Sequence, residues 1–211
     1  NHVDACTGPE VLVYSKVLEG RRDKMRLSYS WYEHEGRFKD WAGSVEKMME
    51  GFKDGLKECG IDHVDVWRIT MHEQTSKRNT DKEIEVAMEC LERAKKQGLA
   101  RFTGVSSHDR PWIAEAVAKY PQLEVICTPY TADTKELPKD SVFEAFRKCD
   151  VGVFGIKPFA SYSIFKGDGS PVGLHVEGDD KIARMAIRYI LRNTAITAPI
   201  PGLANLREVD N

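Results

Sequence analysis

Short runs of β-branched and apolar residues alternate along the chain with stretches in which apolar positions recur every three or four residues. The first pattern predicts strands over His2–Ala5, Met25–Tyr29, Val64–Thr70, Arg101–Val105, Val125–Thr128, Val151–Ile156 and Ala195–Ala198. The second predicts helices. Val45, Met48, Met49, Phe52 and Leu56 fall on one helical face, as do Ile84, Met88, Leu91 and Ala94, and then Ile182, Met185, Ala186, Tyr189 and Ile190. Each stripe is expected to lie against the strands. Thr80 with Glu83, and Ser141 with Glu144, have the spacing of capping boxes, in which hydroxyl and carboxylate satisfy orphaned amides. Gly60 and Gly98 stand where a helix C-terminus needs a positive φ.

Strands alternating with helices from end to end mark a parallel α/β sheet or barrel. A doubly wound open sheet would most often carry G-x-G-x-x-G after its first strand, and no such motif is present. The expected architecture is therefore a (β/α)8 TIM barrel forming a single domain over residues 1–211, incomplete at both ends. Seven strands with six helices between them leave it one strand short, and a whole barrel usually needs about 250 residues. The chain opens on Asn1 inside a strand and stops at Asn211 just after a helix begins.

Composition narrows the partners. The formal charge is −2 with both signs interspersed, and no basic patch offers itself to nucleic acid. No apolar run approaches the roughly 18 residues of a membrane span. Five cysteines, odd in number and without a C-x-x-C pair, suit reduced thiols. The default location is the cytoplasm, any targeting peptide lying upstream of residue 1.

Several stretches, in order, resemble the aldo-keto reductases. Asn1–Ala5 resembles the strand that ends in Asp, Glu19–Lys24 the basic turn before the next strand, and Gly60–Val66 the approach to the strand after that. Gln97–Ser107 resembles the run from Lys/Gln-Gly-x-x-Arg into Gly-x-Ser-Asn. Lys157–Ala160 resembles the end of a later strand, and Ile200–Asn205 the loop that grips cofactor phosphates.

The resemblance implies hydride transfer between NADP(H) and a small carbonyl substrate, with a Tyr as general acid, tuned by Lys and Asp, and a His that orients substrate. Asp4 matches the Asp. Pro9, Ser30 and Thr70 stand where the Tyr, Lys and His are expected, so the catalytic set has departed from the family pattern. Tyr29, Tyr32 and His34 near the end of the second strand, and His72 two residues beyond Thr70 on the same expected face, are candidates for a displaced donor. On the cofactor side the resemblance implies Ser106, Ser107 and Cys127 near the nicotinamide amide. Lys157, Pro158, Pro201, Gly202, Asn205 and Arg207 are implied around the phosphates, where the backbone of Gly202 and a helix beginning near Asn205 would offer amides. The Gly-rich segment 162–178 reads as a loop over the barrel mouth.

Two other functions fit the residues. A nicotinamide-nucleotide-binding sensor or subunit without turnover would explain the lost catalytic groups. A metal-dependent barrel hydrolase or lyase would use His2, Asp4 and Cys6, which alternate on one strand, with His72, His108 and Cys127 at the same end.

Overall fold

A computed structural model describes residues 1–6, 8–31, 44–72, 78–134, 141–167, 176–203 and 206–210, with only the backbone of Trp31. In order, the elements are β1 (His2–Ala5), α1 (Gly8–Val17), β2 (Arg26–Trp31), α2 (Val45–Glu58), β3 (Val64–Thr70), α3 (Asp81–Lys96) and β4 (Ala100–Ser106). Then come α4 (Arg110–Lys119), β5 (Val125–Pro129), α5 (Val142–Lys148), β6 (Gly152–Ile156), α6 (Asp179–Ile190), β7 (Ala198–Ile200) and α7 (Leu206–Asp210).

All six strand pairings are parallel, and the strands lie side by side in sequence order from β1 to β7. A doubly wound sheet reverses its order at a switch point; none occurs here, so the open-sheet alternative is excluded. The sheet curls until the His2 ring on β1 meets Phe154 on β6 edge to face, with centroids 5.0 Å apart. The result is a nearly closed (β/α) barrel in which β1 and β7 each pair on one side. None of its helices, among the described residues, is long and apolar enough to cross a membrane.

Side-chain alternation splits the core in two. An inner cluster of Val66, Val125, Cys127 and Phe154, joined by Ile156, Ala198 and Ile200, fills the barrel. The larger outer cluster lies between strands and helices, where Trp67 stacks on Phe52 of α2 at 3.9 Å. The stripes on α2 and α3 are buried as expected. Thr80 makes the full capping box with Glu83, and the Ser141 hydroxyl accepts from the Glu144 amide. Beyond α2 and α3, Gly60 and Gly98 take φ of +66° and +71°. Their amides, and those of Ile61 and Leu99, return to the last turn of the helix in the Schellman pattern.

Two expectations need correcting. The last strand is Ala198–Ile200, not Ala195–Ala198: Asn193 binds the Ala195 amide through its side chain and the Ile196 amide through its carbonyl, holding that stretch as a turn. On α6 only Ala186 and Ile190 are buried, whereas Met185 and Tyr189 remain 58% and 44% exposed. Helical spacing identified the stripe, but the strands cover only one edge of it.

Candidate active site

Alternation along β3 turns Val66, Arg68 and Thr70 into the barrel, and Trp67, Ile69 and Met71 toward the helices. Arg68 therefore lies at the middle of a buried strand. Its Nη2 donates to Oδ1 of Asp4 on β1 at 2.5 Å, with the two side chains only 1% and 3% exposed. The link is single. Asp4 Oδ2 and Arg68 Nε and Nη1 are buried and have no hydrogen-bond partner among the described residues.

The Phe154 ring lies 5.6 Å from the guanidinium carbon. His2, also inside, has Nε2 2.7 Å from the Ser28 hydroxyl. Burial lowers the His2 pKa, with the Arg68 cation adding to the effect and Asp4 opposing it. Burial pushes the Cys127 thiol up to about 12. For Arg68, burial opposes the charged form, but the anionic forms of Cys127 and Asp4 and the hydrogen bond to Asp4 outweigh it and raise the pKa. Because Cys127 is a neutral thiol at working pH, Asp4 is the anion that stabilises the guanidinium.

Toward the C-terminal rim, Ser30 Oγ lies 3.2 Å from Thr70 Oγ1. Ser30 is the register partner of Arg68, and Ser106 that of both Thr70 and Cys127. The buried Ser106 accepts the Met71 amide through its carbonyl at 2.9 Å. Next to it the Ser107 amide donates to the Cys127 carbonyl at 2.9 Å, while its hydroxyl accepts from the Asp109 amide at 3.1 Å. That hydroxyl retains its own proton to donate.

Two strand-end loops approach each other on this face. After β6, Lys157 is exposed with φ +55° and Pro158 is buried. Ala160, Ser161 and Tyr162 follow with φ of +48°, +55° and +68°, a left-handed run that costs on the order of 1 kcal/mol per residue. After β7, Pro201 is half-buried and Gly202 exposed. A Cβ added at Gly202 would come within 3.3 Å of the Tyr162 hydroxyl. Glycine there leaves the backbone open to a ligand.

Several sequence-based candidates lie elsewhere. Tyr29 faces outward into the helix layer, stacked on Phe52 at 6.4 Å, because it has the opposite parity from Ser28 and Ser30. His72 does not share a face with Thr70: β3 ends at Thr70, and φ of +48° turns His72 away. Its Nδ1 accepts the Asn79 amide at 2.9 Å, its own amide donates to Asn79 Oδ1 at 2.8 Å, and its ring meets Trp112 edge to face at 4.5 Å. Together with Trp112 and Lys119 it lines a cleft of about 410 Å³ between the start of α3 and the length of α4. Burial and the Arg78 cation lower its pKa.

Arg207 pairs with Asp180 at 3.0 Å on the surface, and α7 is a five-residue helix, too short to serve as an anion-binding dipole. Tyr32, His34, Asn205 and part of the 162–178 loop lie outside the described residues. For the metal alternative, His2 and Asp4 are engaged with Ser28 and Arg68. No three His, Cys, Asp or Glu side chains converge as a metal site among the described residues.

Arg68 and Tyr162 were missed from sequence. The signal for Arg68 was present: an arginine with the parity of Val66 and Thr70 inside an apolar run must enter the barrel, where it needs a counter-ion. Tyr162 carried no comparable local signal.

The profile of the aldo/keto reductase family matches residues 9–171. No curated protein sequence matches the chain closely enough to count as a relative. Among solved structures, an aldo-keto reductase from Bacillus halodurans in its holo form superposes with a TM-score of 0.73 at 20% identity, over 100% of this chain and 74% of that one. An aldo/keto reductase from Klebsiella pneumoniae in complex with NADP and acetate gives 0.75 at 17% identity, over 100% and 72% of the two chains. A Bombyx mori aldo-keto reductase in complex with NADP gives 0.70 at 16% identity, over 99% and 70%. At such identities the structural likeness establishes the fold, and the profile match over most of the chain establishes the family: this chain belongs to the aldo/keto reductases.

Proposed function

We propose that the protein is an oxidoreductase that transfers hydride between NADP(H) and a small carbonyl compound, at the C-terminal rim of the barrel. The observation that carries this reading is the family match over residues 9–171. The NADP complexes of the Klebsiella pneumoniae and Bombyx mori structures support the choice of cofactor. So does the cradle at Gly202, where an added Cβ would sit against Tyr162.

When bound, the dihydronicotinamide supplies the hydride. Ser106 and Ser107 would hold its amide, Ser107 through the hydroxyl proton that its bond to Asp109 leaves free. Cys127 closes the side beside them as a neutral thiol. Pro201 and Gly202 would admit phosphate oxygens to the backbone, with Asn205 assigned to them from sequence, and Lys157 and Pro158 follow β6 at the same rim. Arg207 adds positive charge there only by leaving Asp180.

At the reacting end, Asp4 fixes the charge inside the barrel and the Thr70 hydroxyl orients the carbonyl oxygen. That oxygen gains electron density as its carbon accepts hydride, and a proton must then reach it. With Tyr29 and His72 facing outward, Tyr32 and His34 remain, and we assign the donor to Tyr32, the residue type that the resemblance implies.

Titration with NADPH tests the cofactor assignment. Gly202→Val should weaken binding at least about tenfold while leaving the folded state intact, since the residue is exposed. Unchanged affinity would remove the cradle from the account.

A further inference from the structure

We propose that Arg68 supplies the fixed positive charge of the reaction centre, a positioning residue anchored by Asp4 whose field stabilises negative charge on the substrate oxygen. This rests on the reading of the protein as a carbonyl reductase and deepens it.

Stability alone does not account for the pair. An arginine and a carboxylate that pair for strength usually form two parallel hydrogen bonds. Here a single bond joins them, and among the described residues two guanidinium nitrogens and one carboxylate oxygen remain buried without hydrogen-bond partners. Unmet polar groups in an apolar interior work against folding, and hydrophobic residues of similar size often replace such a pair without loss. The arrangement is under-satisfied where the barrel is otherwise filled by Val66, Val125, Cys127 and Phe154.

The surroundings preserve the charge. His2, Asp4 and Cys6 on or just after β1 and Cys127 on β5 are the titratable groups that act on Arg68 or feel its charge. His2 is shifted toward its neutral form and Cys127 is a thiol up to about pH 12, so Asp4 is the counter-charge that the structure pairs with Arg68. In an apolar interior a charge is screened less than in water and acts over a longer distance.

Its position fits the task. Ser30, at the place where the resemblance expects Lys, is the register partner of Arg68. The cation has thus moved to the adjacent strand. The Ser30 hydroxyl stands beside it, and the Thr70 hydroxyl, 3.2 Å from Ser30, lies two residues nearer the end where barrel enzymes carry out their chemistry. Because its pKa is raised, Arg68 stabilises charge and does not donate the proton.

The test compares the parent protein with Arg68→Met, Arg68→Lys and the double variant Asp4→Leu/Arg68→Met. Urea unfolding is followed together with steady-state reduction of p-nitrobenzaldehyde by NADPH. The double variant should unfold at the parent midpoint and bind NADPH as the parent does, yet lose about a hundredfold in kcat with little change in KM. Arg68→Lys should turn over at mildly acidic pH and lose activity as the pH rises and the buried ammonium deprotonates, whereas the parent keeps its activity there. A double variant that reduces the aldehyde at the parent rate, or unfolds far more easily than the parent, overturns the proposal. So does an Arg68→Lys profile indistinguishable from that of Arg68→Met. An inactive parent protein overturns both this proposal and the reductase reading, whereas an active parent with an active double variant overturns this proposal alone.

Discussion

Gly104 shows how a single missing side chain can hold a strand in place. A Cβ there would come within 1.7 Å of the Val125 carbonyl oxygen, so β4 and β5 could not keep their register. Gly104→Ala should cost about 3 kcal/mol in urea unfolding, and a variant as stable as the parent would contradict this close approach. His72 makes the opposite case, since its ring belongs to the α3–α4 seam. His72→Ala should leave kcat/KM for NADPH-dependent reduction unchanged while lowering stability; a large loss of turnover would return it to the centre. At this scale the place of Asp4 on β1 and the absence of Lys at Ser30 were legible, because the stretches that resemble the family run in order. That Arg68 enters the barrel was signalled by its parity within β3, but its partner was not, because the bond to Asp4 joins residues 64 positions apart. The outward face of Tyr29 was readable from its parity against Ser28 and Ser30, whereas the left-handed turn at His72 was not readable from sequence.

Among the elements, β3 is anchored at its start by a clamp that the basic turn before β2 provides. Asp65, 4% exposed, accepts the Leu27 amide at 2.9 Å and pairs with Arg22 at 2.8 Å and Arg26 at 3.5 Å. Burial alone would raise its pKa, but the Leu27 amide and the two guanidinium groups outweigh it, and the pKa is lowered. The folded value therefore lies below the unfolded one. The clamp contributes fully above the unfolded aspartate value of about 3.9 and is lost as the pH falls through the folded value. Asp65→Asn should cost about 3 kcal/mol at neutral pH, and the difference from the parent should vanish in strong acid. A variant whose deficit is the same at both pH values would contradict this. Helix periodicity placed α2 and α3 correctly because one face of each meets strands along its whole length. On α6 the same periodicity overstated burial, since spacing records which residues share a face and not how much of that face is covered.

For the whole molecule, the alternation of strand and helix read a parallel sheet or barrel and the absence of G-x-G-x-x-G chose the barrel, which strands laid side by side in sequence order bear out. What alternation could not convey is the polar interior, in which Asp4, Arg68, His2 and Ser28 are held within an apolar layer. The central claim is that this interior serves hydride transfer at the rim, and it is tested most directly by mixing the protein with NADPH and a panel of small aldehydes. The account predicts that nicotinamide emission changes on binding and that dihydronicotinamide absorbance then falls only when an aldehyde is present. Tight binding with no aldehyde-dependent loss would mean a nucleotide-binding subunit without turnover, and no binding at all would contradict the account outright.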